Sequence, residues 1–185
     1  MNLFLIILAF ILCFATTEHS LAATGSSDTS LKLIDKIEGV YKERFKNGLV
    51  TGETFTSENI FEIMKVAPNA AYINYSLIFF NGHTCDLQGI AEVEGDKLIF
   101  RDPSEDTSCV LSIEVKGKQL VTDDISPLNA NGSCKYYCGM RGGFSNITFD
   151  IAAKRKIRYT KRIETSEDFK HAIAEYTKRK NTTKH

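Results

Sequence analysis

Residues 72–93 read Y-I-N-Y-S-L-I-F-F-N-G-H-T-C-D-L-Q-G-I-A-E-V. In an extended chain Ile73, Tyr75, Leu77 and Phe79 fall on one face, and Asn74, Ser76, Ile78 and Phe80 on the other. The aromatic and β-branched content favours a strand over a helix. Asn81-Gly82 is a turn signal, after which Leu87, Gly89, Ala91 and Val93 resume the two-residue period. The segment is therefore read as two antiparallel strands joined by a turn.

The same pattern continues on both sides. Downstream, Glu94-Gly95-Asp96 turns the chain into Leu98-Ile99-Phe100, and Lys116-Gly117-Lys118 separates Cys109, Leu111, Ile113 and Val115 from Leu120-Val121. Alternation returns at Ile147, Phe149 and Ile151. Upstream, residues 38–45 alternate, Asn47-Gly48 is expected to turn, and a further strand is expected near 60–66. Short strands recurring every 10–12 residues or so imply an antiparallel meander. The expected fold is mainly β: an up-and-down barrel or meander of about eight short strands, pinned by disulfides, with a C-terminal helix. Alternation does not decide whether such a barrel is hollow or filled by side chains.

Residues 3–15 form an almost unbroken apolar segment, the length of the h-region of an export signal and too short to span a bilayer comfortably. Ser20-Leu21-Ala22 supplies small residues before a cut after Ala22, with Ala23 as the neighbouring option, although the start lacks the usual Lys or Arg. The expected organisation is a signal peptide at 1–22, a flexible lead-in at 23–34, a barrel-like domain at 35–163 and a basic helix and tail at 164–185, with structure beginning near Leu31 in a short helical turn made by Leu33, Ile34 and Ile37. The expected location is secreted or periplasmic. Four cysteines then remain, Cys85, Cys109, Cys134 and Cys138, an even number in an oxidising compartment, which implies two disulfides. Of the three pairings, Cys85 with Cys109 and Cys134 with Cys138 is favoured. Tying the 134–138 loop back onto both strands is the close alternative.

The chain has 23 Lys and Arg and 23 Asp and Glu, but the balance hides an asymmetry. Residues 154–185 hold 11 basic and 4 acidic side chains, net +7, leaving 12 and 19 upstream, net −7. Thr165-Ser166-Glu167-Asp168 looks like a helix start, and Phe169, Ala172, Ile173 and Tyr176 share one helical face. A basic helix of this kind either docks on the barrel or contacts an anionic membrane surface. Nucleic acid is not expected as a partner of an exported protein.

The run C-K-Y-Y-C-G-M-R-G-G at 134–143 carries the candidate binding residues. Arg141 follows a half-cystine and precedes two glycines, so its planar five-donor guanidinium would sit on a loop stiffened by a bridge. Tyr136 and Tyr137 add aromatic surface of the kind enriched at interfaces, and His83 lies beside Cys85. Disulfide formation removes the thiolates that a zinc site or a cysteine nucleophile requires. No serine nucleophile motif, phosphate-cradling glycine loop or calcium loop is present. No catalytic residue, metal or cofactor is assigned.

The signal, the single domain of short strands beginning at Gly39-Val40-Tyr41 and the disulfide-pinned loops resemble the small periplasmic β-barrels that include bacterial lysozyme inhibitors. The resemblance extends more loosely to calycin barrels. It covers residues 39–151 in architecture and implies an exported binding protein, one that blocks an envelope-directed enzyme or holds a small ligand. Its partner would be a protein or small ligand of the envelope. Two other classes remain: a small secreted hydrolase built from His83, Arg141 and a carboxylate, and an envelope structural protein whose basic tail docks on lipid.

Overall fold

The computed structural model describes residues 26–104, 108–127 and 134–182, with side chains from residue 32. The expected signal peptide lies outside the described residues. Eight strands hydrogen-bond in chain order, every pair antiparallel: β1 (Gly39–Gly48), β2 (Thr54–Ala67), β3 (Ala70–Ile78), β4 (Thr84–Glu94), β5 (Lys97–Arg101), β6 (Val110–Lys116), β7 (Gln119–Asp124) and β8 (Ile147–Asp150). They form a nearly closed barrel. Val40 of β1 and Arg155, just past β8, close it by exchanging backbone hydrogen bonds of 2.8 and 2.9 Å. Inside, the Tyr41 and Phe149 rings meet across that seam at 6.1 Å.

Two of the expected turns sit where glycine accepts the left-handed region, at Gly95 (φ 64°) and Gly117 (φ 61°). The expected Asn47-Gly48 turn does not form. Asn47 is a buried strand residue whose amide donates to Ser57 Oγ at 3.0 Å and to the Phe79 carbonyl at 2.9 Å. The chain reverses instead at 49–53, where Leu49 N–H donates to the Glu53 carbonyl at 2.8 Å.

The barrel is filled. Tyr41, Phe61, Tyr75, Leu77, Leu87, Leu98 and Phe144 are almost wholly buried within one continuous cluster. Phe61 and Tyr75 stack at 3.8 Å with planes 9° apart. The Tyr75 hydroxyl reaches Thr122 Oγ1, so the one polar atom at this depth on that ring is paired.

Helix α1 (Ser26–Ile37) extends the short helical turn expected at Leu33, Ile34 and Ile37 back into the expected lead-in. Its first turns are as polar as they look in the sequence, but Leu33, Ile34 and Ile37 are buried in the interior cluster. Tertiary burial supplies what the local sequence lacks. Two carbonyls at its C-terminal end are satisfied from outside the helix: Ile37 accepts from the Tyr41 hydroxyl at 2.7 Å and Lys36 from Lys154 Nζ at 2.6 Å.

The C-terminal helices α2 (Thr160–Thr165) and α3 (Glu167–Thr182) cover the outer face of the sheet. Ile163, Phe169, Ala172, Ile173 and Tyr176 pack on Val40, Met64, Tyr72 and Ile90 in a second cluster, with Tyr72 and Phe169 edge to face at 5.1 Å. The expected helix face at 169–176 is thus the docked one. Tyr159 O–H donates to Glu62, and Lys180 pairs with Glu92.

Burial raises the phenols of Tyr41 and Tyr75 well above the usual value of 10, and moves Tyr72 and Tyr159 to about 12, with Glu62 adding to the effect at the latter two. The folded state therefore holds these protons more tightly than the unfolded chain does. Stability is fully present below pH 10 and is lost as pH rises through 12. Tyrosinate absorbance of the folded protein should accordingly show these four rings ionising late and in step with loss of the near-ultraviolet circular dichroism. Four rings titrating near pH 10 on a folded chain would mean that the interior and the helix-covered face are both open to water.

Candidate functional site

The disulfides join Cys85 to Cys138 and Cys109 to Cys134, across 53 and 25 residues. The favoured pairing of Cys85 with Cys109 is wrong, and sheet order is the reason. Cys85 opens β4 and Cys109 immediately precedes β6, with β5 between them, whereas a bridge needs Cα atoms within about 7 Å. Cys138 instead lies beside Cys85 as an antiparallel bridge pair, and Gly139 N–H donates to the Thr84 carbonyl at 2.7 Å. Cys134 begins a tight 3-10 turn, Cys134–Tyr137, which turns its sulfur toward Cys109. The close alternative, in which the loop is tied to both strands, is the arrangement found.

The glycines explain how closely the loop lies. A Cβ on Gly142 would stand 2.5 Å from Cys85 Sγ, and one on Gly139 would stand 3.0 Å from His83 Nδ1. Only a bare backbone fits against the Cys85–Cys138 bridge there. Phe144, just beyond, is buried and packs edge to face on Tyr75 at 5.4 Å, anchoring the loop to the interior.

The four candidate residues gather at this end of the barrel but do different things. Tyr136 is 75% exposed, and Arg141 is exposed with its guanidinium 5.7 Å from the centre of the Phe80 ring. Among the described residues Arg141 forms no ion pair. Its cation rests on an aromatic face, an arrangement worth about 0.5–1 kcal/mol at an exposed site. Tyr137 turns inward, its hydroxyl donating to Asp102, so it holds the loop rather than presenting it. His83 is half-buried beneath Gly139.

Two residues not singled out from the sequence complete the surface: Met140, 81% exposed, and Phe80, 45% exposed. Met140 sits between the half-cystine and Arg141. Phe80 ends the long apolar run one residue past Phe79, which is partly buried against the interior cluster, where the strand has stopped and a short turn, Phe80–Gly82, begins. Strand alternation had placed it on a sheet face, although it belongs to the rim.

A groove of about 480 Å³ runs between β4 and α3, lined by Asp86, Gln88, Asp168, His171 and Glu175, and reaches Tyr137 and Asp102 at the loop. Phe100 fills the space that a side chain at Gly89 would take, since a Cβ there would lie 2.4 Å from its ring. The four cysteines of the described residues are all oxidised, so none offers a thiolate to a metal or a substrate. Among the described residues no helix is long and apolar enough to cross a membrane.

Comparison of the chain with protein-family models, with curated proteins and with solved structures finds no match. The functional reading rests on the geometry.

Proposed function

We propose that this is an exported binding protein that blocks an envelope-directed enzyme by presenting the disulfide-held end of its barrel. One observation carries the reading. Tyr136, Met140 and Phe80, the three most conspicuous exposed apolar side chains of that end, share it with Arg141, which rests on Phe80 and follows Met140, on backbone that the Cys85–Cys138 bridge and the glycine contacts hold in place. Aromatic residues and arginine are the commonest anchors of tight interfaces, and methionine adapts its shape to a partner. A loop already ordered before encounter avoids most of the entropy cost of ordering on binding. The filled interior favours a surface contact over a ligand held inside the barrel. The two disulfides accord with an oxidising, extracytoplasmic location.

The test is lysis of cell-wall substrate by purified lysozymes of different classes with the oxidised protein added. At least one class should be inhibited stoichiometrically. Replacing Met140 and Arg141 together by alanine should weaken that inhibition about 30-fold, the size of an interface hot spot of roughly 2 kcal/mol. Thermal stability should stay unchanged, because both side chains are exposed. Full inhibition by the double variant would move the working surface elsewhere. No inhibition of any lysozyme by the wild type would sink the enzyme-blocking reading.

A further inference from the structure

The net charge of +7 over 154–185 is unevenly neutralised. On α3, Lys170 pairs with Glu167 and Lys180 with Glu92. The segment before it is different: Arg155, Lys156 and Arg158 are exposed, and no acid interrupts 154–163. Because Arg155 is bridged to Val40 across the barrel seam, this segment lies alongside the outward row of β1, which alternation assigns to Lys42 and Arg44. Two depressions adjoin there. One is lined by Lys42, Arg44, Glu58 and Arg155, the other by Val40, Arg155, Lys156, Arg158 and Tyr159.

Five cations therefore border two neighbouring depressions that share Arg155, and their combined lining includes a single carboxylate. Glu58 is shared between Lys42 at 2.9 Å and Arg44 at 2.7 Å, and those two hydrogen bonds hold it below the usual carboxylate range. It offsets one charge of the five. Glu43 belongs to the alternate row of β1. Successive outward positions of a strand are about 6.6–6.8 Å apart, so the cations form a line rather than a single anion cage.

We infer that the barrel seam binds a linear polysaccharide bearing sulfate or phosphate esters, its charged groups lying along Lys42, Arg44, Arg155, Lys156 and Arg158. Shape and chemistry favour this occupant over a membrane or a nucleic acid. The cations border concave ground, and the large exposed apolar residues of the described chain (Val50, Phe55, Phe80, Ile125, Tyr136 and Met140) lie on other segments, leaving none here to enter a bilayer interface. The apolar face of α3 is already packed on the barrel. The ring of Tyr159 carries the Arg162 guanidinium at 4.6 Å and its hydroxyl is committed to Glu62, so it offers no open stacking platform for a base.

The experiment is titration of the full oxidised protein with a fluorescent heparin dodecasaccharide over a range of salt concentrations. Binding should fall with salt at a log–log slope of about −2.8, from a net four charges at about 0.7 each, the value for a single-stranded polyanion. Replacing Arg155 and Arg158 by alanine should reduce that slope by about 1.4 and weaken binding at low salt at least tenfold. The equally discharged pair Lys170→Ala and Lys178→Ala, on α3, should leave affinity within twofold. Equal loss in both pairs would show attraction by net charge alone and overturn the site. So would tighter binding to an oligothymidylate, or to vesicles of phosphatidylcholine and phosphatidylglycerol in equal parts, or a slope near zero. The Met140 and Arg141 variant should bind the saccharide as the wild type does, which separates this surface from the enzyme-blocking one.

Discussion

A chain with both Cys85 and Cys138 replaced by alanine should be about 4 kcal/mol less stable than the oxidised wild type, the loop-closure value for a span of 53 residues. Most of a small domain's net stability is of that order, so the variant should sit near its unfolding threshold at physiological temperature. Removing Cys109 and Cys134 instead should cost about 3.5 kcal/mol, because that loop spans only 25 residues. The two losses should not add. The inner loop is nested inside the outer one, so each bridge already restricts part of the unfolded chain that the other closes. Urea midpoints of the two double variants and of the fully reduced protein decide the matter. A loss under 1 kcal/mol for the outer pair would mean that the loop contacts hold this end without the bond. The outer pair should also abolish enzyme blocking under conditions where the chain remains folded, since Arg141 and Met140 would then ride on a loop released from β4.

Phe61→Ala should be the most damaging single change in the barrel interior, at about 3–5 kcal/mol. The ring is fully buried, stacks on Tyr75 at 3.8 Å and stands 5.8 Å from Phe149 and 6.1 Å from Tyr41. It therefore touches rings from both sides of the seam, and its loss opens a void that neither α1 nor the disulfide loop can collapse into. For a chain of this size the melting temperature should fall by roughly 6–20 °C. Phe61→Leu, which keeps most of the volume, should recover more than half of the loss. Calorimetry of the two variants checks both figures. Equal and small shifts would show an interior that repacks freely.

The strands were legible because a filled barrel imposes a strict two-residue period on any strand with one face inward, and residues 72–93 keep that period through nearly every position. α1 was legible only as a short turn at Leu33, Ile34 and Ile37, since its first half is polar and carries no apolar period. The cysteine pairing needed sheet order: in the sequence Cys85 and Cys109 both look like strand starts, and only the position of β5 separates them. On the candidate surface, Arg141 and Tyr136 were visible through their glycine and half-cystine neighbours. Phe80 was hidden in an apolar run whose last residue leaves the sheet. Tyr137 looked equivalent to Tyr136 until Asp102 was found within reach of its hydroxyl. The basic tail was read as a property of its helix, but Lys170 pairs with Glu167 and Lys180 with Glu92 there, while Arg155, Lys156 and Arg158 on the seam before it stand exposed.

The nesting of the two bridges has a consequence for survival among proteases. A peptide bond cut anywhere between 85 and 138 leaves both fragments joined through Cys85 and Cys138, while the remaining strands keep their neighbours. Such a nicked molecule would migrate as one band until a reductant is added and as two bands afterwards. A single cut inside that span would thus break the chain without releasing either piece.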